Sequence, residues 1–412
     1  MKVLFVHQNF PGQYLQLARH LGATPGNEVV FITQRKDDAA LPGVKKIVYQ
    51  PARAVTKGIH HYLLDTEAGV LNAQNVARVA LDLKQSGFVP DVMLAHNGWG
   101  ELWYLKDVFP DTPLIGYFEF FYRLHGADVG FEPGPPLIFD AGPRLRTKNL
   151  GNLLALDAVD YGQCPTRWQK SLYPAIYQPK IQVVHEGIDT QLVAPKADVR
   201  FKLPGTDIEL TREDEVVTYV ARNLEPYRGF PSFMRSLPAI LERRPQAQVL
   251  IVGGDETSYG PALAGGKTFR EVLLQELGNK LDLQRVHFLG KVPYPTFLQV
   301  LQVSRVHVYL TYPFVLSWSM LEAMSAGCVV VGSRTAPVQE VIRDGDNGRL
   351  VDIFSPDEIA ERVIEVLQEP QAFDDQRRKA RQTVIEKYDL DTICLPAQLR
   401  MLAMAAQSPT AR

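Results

Sequence analysis

Apolar residues along this chain follow two rhythms that alternate. Short, nearly unbroken apolar runs at residues 3–7, 28–33, 44–49, 91–95, 114–118, 161–164 and 180–185 predict strands buried on both faces. Apolar residues three and four apart at 13–21, 68–86, 150–158 and 166–172 predict helices between them, with Thr166 as an N-cap. Residues 190–213 lose this periodicity and carry several prolines and mixed charge. The alternation then restarts, with strands at 216–220, 248–252, 286–289, 308–310, 329–331 and 349–351. Helices are predicted at 229–243, 268–277, 294–303, 320–326, 338–343 and 356–367, with a charged helical segment at 374–404. Strand–helix alternation repeated twice predicts an α/β protein with two Rossmann-like parallel-sheet domains, at 1–195 and 214–373, followed by a C-terminal segment at 374–412.

Residues 308–332, VYLTYPFVLSWSMLEAMSAGCVVVG, condense the pattern into strand, loop, helix, Gly turn and strand. Ligands of open α/β sheets bind at the carboxyl ends of strands, and anions sit on helix N-termini. The backbone N–H groups of Ser317, Trp318 and Ser319 are therefore candidates for holding an anion. Glu322, one turn into the helix, is a candidate to accept two sugar hydroxyls. The alternative is an ordinary crossover in which Glu322 is solvated.

The length of 412 residues exceeds one compact core, in keeping with two domains. Lys and Arg number 44 against 46 Asp and Glu, a balance that argues against a general nucleic-acid binder. The three cysteines, Cys164, Cys328 and Cys394, are scattered and suggest neither a disulfide framework nor a metal site. No apolar run approaches the ~20 residues that cross a bilayer, and the N-terminal run is too short for a secretion signal. A soluble cytoplasmic protein is the expectation.

Several strand ends carry reactive side chains. His96 follows one strand and Glu119 another, and the Gly- and Pro-rich stretch 120–150 brings His125 and the short basic cluster Arg144–Lys148. Glu119 is a candidate base, nucleophile or transition-state stabiliser, and its alternative is an ion pair with Arg123 four residues on. His96 and His125 are the other candidate catalytic groups. In the second half, Arg222 and Arg228 bracket a strand-to-helix turn, where two guanidinium forks would clamp a diphosphate. The chain has no GxxxxGK[ST] loop and no GxGxxG fingerprint, and no acidic pair ends a strand as a divalent-cation site would require.

The order Arg222…Arg228-Gly229, Gly253-Gly254, Gly290-Lys291-Val292-Pro293 and Leu321-Glu322-Ala323-Met324-Ser325-Ala326-Gly327 resembles the donor half of family-4 glycosyltransferases. Glu340-Val341-Ile342, Asp344-Gly345 and Asn347-Gly348 fit the family's next motif, and Pro11-Gly12, Pro90-Asp91…His96 and Val184–Asp189 fit the first half. The resemblance implies a GT-B fold, with two Rossmann-like domains facing a central cleft and a last helix that crosses back to the first. It also implies metal-independent transfer of a hexose, with retention, from a UDP- or GDP-linked donor. No cofactor is implied beyond that substrate. The acceptor would be a glycan, a lipid-linked sugar or a small molecule, and contact with a membrane surface is compatible with it. By the same resemblance Arg222 and Arg228 hold the diphosphate and Glu322 the ribose. Ser317, Trp318 and Ser319 hold phosphate or sugar, and Gly253, Lys291 and Val292 complete the donor site near the base.

Two positions depart from the family pattern. Phe314 stands eight residues before Glu322, where the family usually has a second Glu touching the donor sugar. Glu119 stands where a His usually comes after the strand. These departures leave open a sugar-nucleotide-binding protein without turnover, and an epimerase or hydrolase on the same fold.

Overall fold

The computed structural model describes residues 1–407. The chain forms two compact units, one from Met1–Gly187 plus the chain from Leu390 onward, the other from Ile188–Asp389.

The first unit is built on strands β1 (Lys2–Val6), β2 (Glu28–Thr33), β3 (Val44–Val48), β4 (Val92–His96), β5 (Leu114–Tyr117), β6 (Tyr161–Cys164) and β7 (Ile181–Val183). They make one parallel sheet in the order β3-β2-β1-β4-β5-β6-β7. Its helices are α1 (Leu15–Ala23), α2 (Leu64–Gln85), α3 (Leu105–Val108), α4 (Ala141–Lys148), α5 (Leu150–Ala158) and α6 (Arg167–Ser171). Every residue of β4 and β5 is buried, which explains why these strands read as unbroken apolar runs. Thr166 caps α6, its side chain accepting the Gln169 N–H at 3.0 Å.

The second unit opens with an antiparallel ribbon, β8 (Arg200–Lys202) and β9 (Glu209–Thr211). Its main sheet comprises β10 (Val216–Asn223), β11 (Gln248–Gly254), β12 (Val286–Gly290), β13 (Val306–Tyr309), β14 (Val329–Ser333) and β15 (Arg349–Val351), in the order β12-β11-β10-β13-β14-β15. All its pairings are parallel. The helices are α7 (Phe230–Arg243), α8 (Phe269–Leu277), α9 (Tyr294–Val303), α10 (Trp318–Ser325), α11 (Ala336–Gln339), α12 (Pro356–Gln368) and α13 (Asp374–Tyr388). Thr268 and Glu271 form a reciprocal capping box at the start of α8. After Asp389 the chain returns to the first unit through a π-turn at Leu390–Cys394 and ends in α14 (Leu395–Gln407).

Four sequence expectations change. The units divide at Ile188 and Leu390, not after residue 195 and at 374. Residues 190–213 are not a bare linker, because Val199, Phe201, Leu203 and Leu210 pack with Val216, Leu250 and Val300 into a core. The helix expected over 374–404 is broken. Arg381 ties α13 to the second unit through the carbonyls of Thr190, Val193 and Ser325, so only α14 belongs with the first. Pro396, at the second position of α14, marks the restart. The stretch 120–150 is also less irregular than its Gly and Pro content suggests, since it contains α4.

Because each main sheet is parallel, all its strands end on one edge. In the first unit that edge presents His7, His96, Glu119 and His185, and in the second Arg222, Gly253 and Lys291.

Candidate functional site

In the second unit, α10 begins where Ser317, in extended backbone, accepts the Ser319 N–H on its hydroxyl at 3.4 Å. Met320, Leu321, Ala323 and Met324 are all buried in the core of this unit, and they draw the whole helix inward. Glu322 goes with them. It is 8% exposed, and its Oε1 accepts the Tyr294 hydroxyl at 2.7 Å. The solvated alternative is therefore wrong. Burial raises the Glu322 carboxyl to about 7, against the pull of the Tyr294 hydrogen bond. Near neutral pH this group exchanges between a carboxylate that accepts hydroxyls and an acid that donates.

The amides expected to hold an anion are partly committed within the protein. The Ser317 N–H donates to the Tyr309 hydroxyl at 2.8 Å, and the Ser319 N–H turns to Ser317. Trp318 is 39% exposed.

Arg228 is not an open clamp. It ends a short 3-10 turn, Pro226–Arg228, whose last carbonyl accepts the Tyr219 hydroxyl at 2.7 Å. Its Nη1 donates to Thr311 Oγ1 at 2.8 Å, to the Val315 carbonyl at 2.9 Å and to the Tyr309 hydroxyl at 3.3 Å. The rings of Tyr259 and Phe314 lie 5.2 and 6.0 Å from the guanidinium carbon. The guanidinium thus braces the segment leading into α10. Phe314 is buried and packs edge-on against Tyr227, with Tyr259 beside it. Arg222 is exposed at the end of β10, where the β10–β11 register shifts between Val220 and Asn223. Such an irregularity re-aims side chains next to a site.

Lys291, also exposed, pairs with Glu256 at 2.6 Å. A Cβ on Gly254 would lie 2.5 Å from Asn223 Oδ1 and from Lys291 Cε, so a larger residue there would displace the Lys291 side chain. On Gly253 it would lie 2.8 Å from the Ala221 carbonyl oxygen. Val292 turns away, packing on the β8–β9 core.

Glu225 escaped sequence reasoning. It is fully buried, and its carboxylate accepts the N–H groups of Ser258, Tyr259 and Gly260 at 3.0–3.1 Å. It holds the Gly-rich stretch after β11 in place, Tyr259 included. An acid beside Pro226 carries no signal of this in the sequence.

In the first unit the strand ends converge on Glu119. His7 Nδ1 accepts the Asn9 N–H at 2.8 Å, which leaves the ring proton on Nε2. From there it donates to Gln13 Oε1 at 2.6 Å, and Gln13 Nε2 donates to Glu119 Oε1 at 3.2 Å. His96 repeats the device: Nδ1 accepts the Gly98 N–H at 2.9 Å, and Nε2 lies 3.9 Å from Glu119 Oε2. Two neutral imidazoles therefore lie beside one carboxylate, His7 linked to it through the Gln13 amide and His96 near it without a hydrogen bond. The two rings are 4.5 Å apart, and His96 stacks between Trp99 and Tyr117. Burial lowers His7 to about 4, and it holds His96 well below the ordinary imidazole value, with His7 adding repulsion. At neutral pH neither is charged.

His96, expected as a catalytic group, is buried and uncharged at neutral pH, and its Nε2 lies near Glu119 without a hydrogen bond to it. The expected Glu119–Arg123 pairing is displaced on the Arg side, where Nε donates to the Leu172 carbonyl at 2.6 Å. His125 is exposed beyond β5. His7 and Gln13 were missed, though His7 ends its apolar run just before Pro11-Gly12, a position that marks strand-end chemistry.

Two family models match the chain, "Glycosyl transferase family 4 group" over residues 25–193 and "Glycosyl transferases group 1" over 206–383. Together they span both units.

The chain belongs to the family-4 glycosyltransferases.

Among curated members of that family, it is 29% identical over 179 residues to a D-inositol 3-phosphate glycosyltransferase of Corynebacterium efficiens. It is 30% identical over 165 residues to a phosphatidyl-myo-inositol mannosyltransferase of Mycolicibacterium smegmatis. The matches cover 43% and 39% of this chain and only 40% and 38% of those relatives. The glycosyltransferase fold extends further. The Anabaena HepE protein in complex with UDP and glucose superposes with a TM-score of 0.67, covering 98% of this chain and all of that one at 17% identity. Sucrose-phosphate synthase from Thermosynechococcus elongatus gives 0.71 at 17% identity, covering 99% and 100%. These are GT-B structures, and the two Rossmann-like units of this chain are of that type.

Proposed function

We propose that this protein transfers a hexose from a nucleoside-diphosphate sugar to a glycan, lipid-linked or small-molecule acceptor, with retention of configuration and without a metal ion. The observation that carries the reading is Glu322. A carboxyl buried at the start of α10, bonded to Tyr294 and poised near neutral pH, suits the recognition of vicinal ribose hydroxyls. Arg222, Lys291, Gly253 and the α10 N-terminus stand at the carboxyl edge of the same sheet and would neutralise the departing diphosphate. Arg228 contributes by holding the segment that presents Ser317 and Ser319. UDP in the HepE complex supports a uridine nucleotide as the first to test.

Glu119 is the acid–base or stabilising group in this reading, its carboxylate bonded by Gln13, with His96 close by. Phe314, between Tyr227 and Tyr259, gives the donor sugar an aromatic wall in place of a carboxylate. The experiment is a thermal-shift series with UDP, GDP and ADP, followed by turnover of the sugar donor whose nucleotide binds, with and without a chelator. Proton NMR of the product anomer tests retention. Three unshifted melting curves refute the donor reading, and loss of turnover with chelator refutes metal independence.

A second reading, nucleotide-sugar binding without transfer, is favoured by the two departures from the family pattern, Phe314 and Glu119. A shifted melting curve with no product from any acceptor would select it.

A further inference from the structure

The long connection that leaves β5 after Glu119 is anchored at its base. Asn149 accepts the Tyr122 N–H and donates to the Tyr122 carbonyl, at 3.0 and 2.8 Å, and Asn152 donates to the Phe120 carbonyl at 3.1 Å. Beyond this clamp the chain runs through Pro133, Pro135 and Pro136 to a tip, Leu137-Ile138-Phe139. Ile138 is 74% exposed and Phe139 90%. The tip is held by its own backbone, because the carbonyls of Ile138 and Phe139 accept the N–H groups of Ala141 and Gly142 that begin α4. Tyr62 adds a bond to the Asp140 carbonyl at 3.3 Å.

The helix after the tip is basic. The eight residues of α4, AGPRLRTK, include Arg144, Arg146 and Lys148 and no acid. Lys148 pairs with Asp65, whereas Arg144 and Arg146 are exposed and make no ion pair among the described residues. The acids on this segment include Glu132 and Asp140, the latter beside His61 at 3.8 Å, and Asp65 takes Lys148. On α5, Leu150, Leu153 and Leu154 repeat at helical spacing and are exposed, opposite the buried Asn152, Ala155 and Leu156.

We propose that Leu137–Phe139, backed by Arg144 and Arg146, inserts into the headgroup layer of an anionic lipid surface. Three adjacent apolar side chains at a tip offer too little area for a stable protein interface, which needs roughly 800 Å² per partner. Apolar insertion combined with neighbouring cations is the chemistry of interfacial attachment. No helix among the described residues is long and apolar enough to cross a membrane, so the attachment is to the surface. For the transfer reaction, and resting on that reading, it favours a lipid-linked acceptor, because the tip belongs to the segment that starts at Glu119.

The test is co-sedimentation of the full chain with phosphatidylcholine vesicles, with and without phosphatidylglycerol. The chain is expected to pellet with the anionic vesicles and to be released by salt. Ile138→Ser with Phe139→Ser, and separately Arg144→Glu with Arg146→Glu, are each expected to weaken binding about tenfold or more. The UDP melting shift, measured on parent and variants, checks folding independently. Should UDP fail to shift the parent, the transferase reading falls while the vesicle result still stands by itself. Absence of the parent from both pellets overturns the lipid proposal, as does equal binding to neutral vesicles or unchanged binding of both variants. A dimer of the parent that the Ile138/Phe139 variant makes monomeric, with no vesicle binding, would assign the tip to a protein interface instead.

Discussion

Glu322 is a carboxyl whose folded value, about 7, lies above its ordinary range because burial disfavours the charge. An acid raised in this way binds its proton more tightly when folded, so it costs stability as pH rises from its ordinary value through 7. Glu322→Gln keeps an acceptor for Tyr294 and removes the ionisation. Its stability advantage over the parent is expected to grow from about pH 4.5 to 7 and then level, by on the order of 3 kcal/mol, in urea denaturation at stepped pH. Glu101 in the first unit is raised to about 7 by burial too, against the pull of the Tyr49 hydroxyl on its Oε1, and Glu101→Gln should show the same sign. His7 works in the opposite direction: lowered to about 4, it withdraws stability as pH falls from 6.5. At the reaction centre, Glu119→Gln is expected to lower kcat about a hundredfold or more while leaving the nucleotide melting shift unchanged. Gln13→Ala, which unlinks His7 from Glu119, should reduce kcat by about tenfold with KM for donor little altered, and steady-state kinetics would separate the two.

The turn from β10 into α7 depends on Gly229 and Arg228 together. Gly229 has φ +66°, and a Cβ there would sit 2.4 Å from Leu310 Cβ. Gly229→Ala is accordingly expected to cost about 2 kcal/mol or more, read as a lower urea midpoint for this unit. Arg228→Ala strips Thr311 and the Val315 carbonyl of their buried donor and should cost about 3 kcal/mol. A variant that loses nucleotide affinity without this instability would show that Arg228 acts on the ligand directly. Strands such as β4 and β14, buried along their whole length, were readable from composition alone, as was the start of α6 at Thr166. The helix α4 was hidden by Gly142 and Pro143, which occupy its first turn, where both are tolerated.

For the molecule as a whole, the chain leaves the first unit at Gly187 and re-enters it at Leu390. Met401, Leu402 and Ala405 of α14 then share a buried core with Phe5, Tyr14 and Leu17. Gln398 donates to the carbonyls of His185 and Glu186 at 3.0 and 3.1 Å. Ending the chain at Asp389 should therefore destabilise the first unit by several kcal/mol, roughly the burial of two large apolar side chains, and leave the second unit's transition in place. Calorimetry would show two separated transitions where the parent's lie closer.

Local pattern was enough to establish two parallel α/β sheets, their strand ends and most residues near the candidate donor site, because burial period and turn chemistry are written in consecutive residues. It also placed Glu119 and Glu322 at the points where chemistry is expected. What it could not reach were facts set by neighbours far apart in the chain. The commitment of Arg228 to Thr311 and Val315, the nest of amides around Glu225, and the route from His7 through Gln13 to Glu119 join residues separated by as many as 106 positions. Whether a guanidinium clamps or braces, and whether an imidazole is charged or neutral, depends on which groups remove its water, and that is known only once the chain has packed.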